Sequence, residues 1–311
     1  MRAQTFFIDN DEHGGRPLER IRRLRKQLEQ FSPDAIVSHS VIPNIYSRLA
    51  NRRSVPVVTV LHSASDDYRD AKMLLGERVL LRTRTALVVA VSAFQAHSFK
   101  ERFGDRVPII VVPNGIDTMS VPKSGYARNP TRVLTVARVA AQKNPQLWLD
   151  VASHFDTADA KLQFEWFGPE SERSATETLE LGANLLVNAE FMGPVERAAD
   201  EMTAADLLFH PADREAQSIV LIEAASVGLP IVCAHHIDQQ MPFPLASDTF
   251  EAGNPQSAID ALERVVSRYP EATERARSMV ELVRETFSMQ TTSARYLDEI
   301  RRVVPGALPK A

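Results

Sequence analysis

Two glutamates and two cations carry the chemistry this chain could do. Glu215 and Glu223 stand eight positions apart in the stretch EAQSIVLIEAASVGLP (215–230), with Ile219, Val220, Leu221 and Ile222 between them. The pattern predicts a helix opening at Ser218 and stopping at Gly228-Leu229-Pro230, because glycine just past a helix and proline beyond it are usual terminators. With the backbone helical only from Ser218, Glu215 belongs to the preceding loop and Glu223 stands about one and a half turns in. Both carboxylates can then face one ligand, while free N–H groups at Ser218 and Ile219 point at a phosphate. An amphipathic helix with two solvated glutamates shows the same pattern, so the neighbours decide. Roughly seventy residues earlier, Arg138 and Lys143 lie five apart, just after a strand. Two cations there can neutralise negative charge growing on a phosphate leaving group.

Positioning these groups requires a scaffold, and short apolar β runs alternating with helices supply one. Strands are expected over 35–39, 56–61, 86–91 and 109–112, with helices over 17–31, 44–51, 70–85 and 93–103. A second series has strands over 132–137, 162–167, 190–193, 206–210 and 231–234, and helices over 144–155 and 197–204. The tail reads as helices over 255–269, 271–285 and 292–303. This alternation is the pattern of doubly wound parallel sheets, which take ligands at the carboxyl ends of their strands. His62, Ser92 and Asn114-Gly115 fall at such ends. The Pro-, Gly- and Ser-containing segment 118–130 reads as a linker. It divides an N-terminal domain over 1–120 from a C-terminal one over 121–290, with a final helix at 291–311 packing back toward the first.

Composition narrows the class. The chain has 311 residues, 44% apolar and 24% charged, with net charge −4, as expected for a soluble globular protein of two domains. Residues 1–118 carry 18 Lys and Arg against 13 Asp and Glu, and the remainder 18 against 27. That asymmetry supports domains with different partners. The single cysteine, Cys233, excludes an internal disulfide and suits a reducing compartment. No apolar run approaches the length of a membrane span and no signal peptide is evident. A cytoplasmic protein is expected, without a nucleic-acid partner. Helix 17–31 has Leu18, Ile21, Leu24, Leu28 and Phe31 on one face and Arg20, Arg22, Arg23, Arg25 and Lys26 on the other. The basic face is either simply solvated or drawn to anionic lipid headgroups at the inner membrane face.

Four landmarks in order resemble the retaining glycosyltransferases of family 4: VVPNGID (111–117), VARVAAQKN (136–144), FMGPV (191–195) and HPADREAQSIVLIEAASVGLPIV (210–232). The resemblance covers about residues 34–296 and implies an α/β GT-B fold, two Rossmann-like domains facing across a cleft. It implies transfer of a sugar from a UDP-, GDP- or ADP-sugar to a glycan or lipid-linked acceptor, in cell-surface polysaccharide, lipopolysaccharide or glycolipid synthesis. In that family Arg138 and Lys143 would serve the diphosphate, helped by N–H groups near Ser218 and Ile219. Glu215 would bind hydroxyls of the donor sugar and Glu223 those of the ribose. The loop of Gly193 and Val195 would receive the base, Gly168 would belong to the nucleotide site, and His62 would lie near the sugar. Neither metal nor cofactor is implied. Asp9-Asn10-Asp11, after the apolar Phe6-Phe7-Ile8, matches the metal motif of the other large glycosyltransferase fold, but too few residues precede it for that fold.

The chain also departs from the family pattern. Only 33 residues precede Asp34, with His13-Gly14-Gly15 in place of a longer glycine-loop unit. Ala216-Gln217-Ser218 replaces a glycine-rich sequence, and His235-His236-Ile237-Asp238 a glycine pair. Two alternatives follow: a non-catalytic glycosyltransferase-like partner protein, or a sugar-nucleotide 2-epimerase of the same fold.

Overall fold

The computed structural model of the chain describes residues 16–53, 55–62, 71–117, 132–157 and 161–303. The apolar run at 6–8, Asp9-Asn10-Asp11, His13-Gly14-Gly15 and the linker 118–130 lie outside them. The chain divides into two compact units, one of Met1–Pro113 with Thr292–Ala311 and one of Asn114–Thr291.

The first unit is a four-stranded parallel sheet in the order β1 (Ile36–His39), β2 (Val57–Leu61), β3 (Leu87–Ala90), β4 (Ile109–Val111). β2 and β3 are buried throughout, which is why they read as Val- and Leu-rich runs, with Thr59 the one polar residue, rather than as alternating ones. On one face of the sheet Leu61 and Val88 meet Leu81 of α3 (Ala71–Arg84) and Phe99 of α4 (Ala93–Phe103). On the other, Val58, Val60, Leu87, Val89 and Val112 receive Tyr296, Ile300 and Val303 of the last helix, α13 (Met289–Val303).

α1 (Pro17–Phe31) turns its apolar side onto α2 (Val41–Ala50), Ile21 and Leu24 packing with Leu28, Tyr46 and Ala50. Arg25 is a strut in that contact, because its guanidinium donates to the carbonyls of Leu49 and Ala50. α2 begins three residues before its predicted start; Pro43 falls in its first turn, where a missing N–H costs nothing. Arg48 of α2 is buried. It donates to Glu77 Oε2 at 2.5 Å, Thr85 Oγ1 at 3.1 Å and the Asn44 carbonyl at 2.8 Å.

The second unit is a six-stranded parallel sheet in the order β10 (Asp248–Phe250), β9 (Ile231–Ala234), β8 (Leu207–His210), β5 (Arg132–Val136), β6 (Gln163–Phe167), β7 (Ala189–Gly193). Helices α5 (Pro145–His154), α6 (Arg173–Ala183), α7 (Ala198–Ala204), α8 (Ile219–Ser226), α9 (His235–Asp238) and α10 (Pro255–Ser267) connect and flank the strands. α6, α9 and β10 were not anticipated. The single helix expected over 271–285 is two, α11 (Tyr269–Ser278) and α12 (Val280–Phe287), with Met279 between them. The core is continuous across the sheet, with Trp148 and Trp166 fully buried edge to face.

Candidate functional site

Arg138 leaves the carboxyl end of β5 in a segment held by its neighbours' backbones. The Ala137 N–H donates to the Phe167 carbonyl at 2.9 Å and the Val139 N–H to that of Pro169 at 2.9 Å. Trp166 Nε1 donates to the Ala137 carbonyl at 2.9 Å. Gly168 makes this closeness possible. A Cβ there would lie 1.9 Å from the Ala137 oxygen, and its φ of +151° disfavours any side chain. The Gly168 N–H reaches the Gly193 carbonyl at 2.8 Å, so the two predicted glycines join the ends of β6 and β7. Val195 is half-buried against the core. The Arg138 side chain itself is exposed, with Nη1 donating to Ser171 Oγ at 3.0 Å.

Lys143 ends a short 3-10 turn, Ala141–Lys143. Asn144 follows in the left-handed region (φ 51°) and caps α5, its Oδ1 accepting from the Leu147 N–H at 2.9 Å. Its Nδ2 donates to Asp213 Oδ1 at 2.8 Å, and the Asp213 N–H returns a bond to the Gln142 carbonyl at 3.0 Å. This lacing joins the loop after β5 to the loop after β8, and it sets Lys143 against Glu215. The ammonium pairs with Glu215 Oε1, and His210 Nε2, at the end of β8, reaches the same oxygen at 3.0 Å. A carboxylate accepts only, so His210 Nε2 carries the hydrogen. His210 is buried, whereas the Lys143 and Glu215 side chains are 12% and 14% exposed. Burial alone would raise the Glu215 carboxyl. The hydrogen bond and charge of His210 and the Lys143 cation overcome it and hold the group down at about 2. Both contacts fall on Oε1; no bond among the described residues falls on Oε2.

Three residues on, Ser218 is the N-cap of α8, with extended backbone and a buried Oγ that lacks a partner among the described residues. Gln217 spans from this loop to the start of the unit. Its Oε1 accepts from the Asn114 N–H at 2.6 Å, while its main-chain carbonyl accepts from Asn114 Nδ2 at 3.4 Å. Ile219, first in the helix, is 45% exposed. Glu223 is half-buried, and burial pushes its carboxyl upward. The helix stops as expected, with Gly228 at φ 74° and the N–H groups of Gly228 and Leu229 closing on Ala225 and Ala224. Cys233 is fully buried in β9, and burial raises its thiol, leaving an inert core residue.

In the first unit, His62 follows the carboxyl end of β2 and meets His39, the last residue of β1. His39 Nδ1 and His62 Nε2 are 2.8 Å apart, with the rings stacked at 5.1 Å. Burial lowers both imidazoles, and His39 lowers His62 further. One ring donates and the other accepts, so the pair is favoured neutral.

Residues 119–281 match the family described as Glycosyl transferases group 1, and residues 2–120 match Glycosyltransferase Family 4. The chain belongs to the group 1 glycosyltransferases. Putative glycosyltransferase EpsF of Bacillus subtilis is 24% identical over 244 residues, 72% of this chain and 64% of that protein. D-inositol 3-phosphate glycosyltransferase of Geodermatophilus obscurus is 26% identical over 246 residues, 69% of this chain and 54% of that protein. The chain thus spans less than two thirds of the length of either relative. Among solved structures, Anabaena HepE in complex with UDP-glucose superposes with a TM-score of 0.79 at 17% identity, covering 91% of this chain and 82% of that one. The fold is GT-B, with two α/β parallel-sheet units.

Within this glycosyltransferase, the structure brings Lys143 and Glu215 into contact and sets Ser218 at the head of α8. It turns Arg138 to Ser171. His210, His39, Asn144, Asp213 and Gln217 are the polar partners that sequence reasoning did not single out. His210 carried a usable signal, since it ends a β run five residues before Glu215. The bond from Asn114 to Gln217 had none, because 103 residues separate the two.

Proposed function

We propose that this chain is a retaining glycosyltransferase that moves a sugar from a nucleotide-diphospho-sugar to a glycan or lipid-linked acceptor of the cell surface. The observation that carries the reading is the Lys143–Glu215–His210 cluster beside the N-terminus of α8, in a chain of this family. When the bond between the anomeric carbon and the β-phosphate oxygen breaks, negative charge grows on the diphosphate. Lys143, Arg138 and the N–H groups at Ser218 and Ile219 are suited to stabilise it, without a metal. Glu215 stays ionised far below neutrality, and Oε2 is the oxygen left to accept from sugar hydroxyls. Glu223 accepts from the ribose, and His62 serves the substrate as a neutral hydrogen-bonding group. Gly168 and Gly193 act through the backbone, shaping the strand ends that receive the nucleotide.

UDP-glucose is the first donor to test, since HepE is solved with it. The assay is release of nucleoside diphosphate with and without candidate glycan and lipid-linked acceptors, in the presence of a chelator. Acceptor-dependent release with retained anomeric configuration is expected. NMR of the donor incubated alone separates this from 2-epimerisation, which needs no acceptor. Failure to release nucleotide with any donor and acceptor overturns the reading.

Among the described residues no helix is long and apolar enough to cross a membrane. Contact with an anionic inner-membrane surface would rest on charge, through Arg22, Arg23 and Lys26, which are exposed on α1. Ile21, Leu24 and Leu28 of the helix's apolar side are taken up by α2, and Leu18 is left exposed. Loss of vesicle binding when these three are changed to glutamine is the test.

A further inference from the structure

One cavity of the first unit belongs to none of this chemistry. It measures about 340 Å³ and lies between the second half of α3, the end of α4 and the turn before β4. Leu81, Phe99, Phe103 and Val107 give it an apolar lining, and Arg78, Arg82, Arg102 and Arg106 stand around it. These segments lead into β3 and β4, so the cavity is at the amino ends of the strands, opposite the end that bears His39 and His62.

The ordinary explanation for arginines here is the helix dipole. Arg82 and Arg102 lie in the last turns of α3 and α4, where a cation offsets partial negative charge. That explanation does not extend to Arg78, in the helix interior, or to Arg106, in the turn. Neighbouring carboxylates are engaged elsewhere: Glu77 by Arg48, Glu101 by His97 and Asp105 by Lys100. Among the described residues, Arg78, Arg82 and Arg106 form no ion pair. Arg78, Arg82 and Arg106, lining one hollow, repel one another unless an anion joins them, and planar forks suit phosphate oxygens in particular. The apolar lining favours a ligand that carries hydrocarbon as well.

We propose that this cavity binds an organic phosphate, with the phosphate among Arg78, Arg82, Arg102 and Arg106 and its apolar group on Phe99 and Phe103. The source is either a soluble phosphate ester or the headgroup region of an anionic bilayer. The test uses the full chain, with hexyl phosphate and inorganic phosphate as calorimetric probes and phosphatidylglycerol vesicles in a sedimentation arm. Hexyl phosphate is expected to bind at least about tenfold tighter than inorganic phosphate, through burial of its chain. The double variant Arg78→Gln/Arg106→Gln should lose about tenfold or more of that affinity, as loss of charged hydrogen bonds does. Both side chains are exposed, so unfolding midpoint and nucleotide binding should be unchanged. Vesicle binding lost in the same variant supports the proposal with a bilayer source; hexyl phosphate binding alone supports it with a soluble ester. Equal affinity for the two probes, or equal affinity of wild type and variant, overturns it whatever the outcome of the transferase assay.

Discussion

Two ion pairs in this molecule use the same chemistry to opposite ends. Arg48–Glu77 in the first unit is wholly buried, and Arg48 is also bound to Thr85 and the Asn44 carbonyl. Lys143–Glu215 in the second keeps one edge open, with all known contacts on a single carboxylate oxygen. A pair sealed from solvent can only hold helices together, and even the unpartnered Glu77 Oε1 is enclosed. An open pair has acceptor and donor capacity left for a ligand, at the cost of being less rigidly fixed. Access to solvent, rather than the presence of opposite charges, is what distinguishes the two pairs.

The largest effect is expected at Arg48. Arg48→Ala leaves Glu77 charged and enclosed, and should destabilise the fold by about 3–5 kcal/mol in urea denaturation. Replacing both partners by apolar residues, Arg48→Met with Glu77→Leu, should recover most of that. Next in size, Lys143→Ala and Arg138→Ala should each lower turnover by about 10²-fold or more. Each should move the unfolding midpoint far less than Arg48→Ala does. Undiminished turnover in both would remove the charge-stabilising role.

Acid sharpens the contrast. Glu215 is held at about 2 against an ordinary value of 4.5. Its contribution to stability is therefore complete above about pH 5 and is lost as pH falls toward 2. The stability gap between wild type and Glu215→Gln should shrink over that window; a constant gap would contradict the pairing. The smallest effect is expected at Glu223, whose carboxyl is raised by burial. Nucleotide affinity that needs its ionised form should weaken on acidification sooner than for an ordinary glutamate. Glu223→Gln should bind more weakly with a flatter pH profile.

Much of the scaffold was legible because parallel strands buried on both faces leave near-continuous apolar runs, as at 57–61 and 231–234. Helix α8 was legible from its glycine stop. α6 was not, since RSATETLELGA has few large apolar residues and buries mainly Ala175, Thr176, Leu179 and Ala183. β10 has three residues and is recognisable only by pairing with β9. At the site, residue types suggested Lys143 and Glu215 separately. Their contact depends on Asn144 and Asp213 lacing two loops 69 residues apart, and no local pattern encodes that. Helix 17–31 was placed correctly, but Arg25, counted with its basic face, is tied to α2 by bonds that only the tertiary structure supplies.

The discontinuity of the first unit bears on how the chain matures. Its sheet is synthesised by residue 112, yet the cover for Val58, Val60, Leu87, Val89 and Val112 comes from Tyr296, Ile300 and Val303. At ribosomal speeds of about 5–20 residues per second, that face waits on the order of 10–40 s for its lid. During that interval the nascent chain presents a bare valine-rich surface, a natural client for a holding chaperone. The second unit, contiguous in sequence, can close before the first is finished.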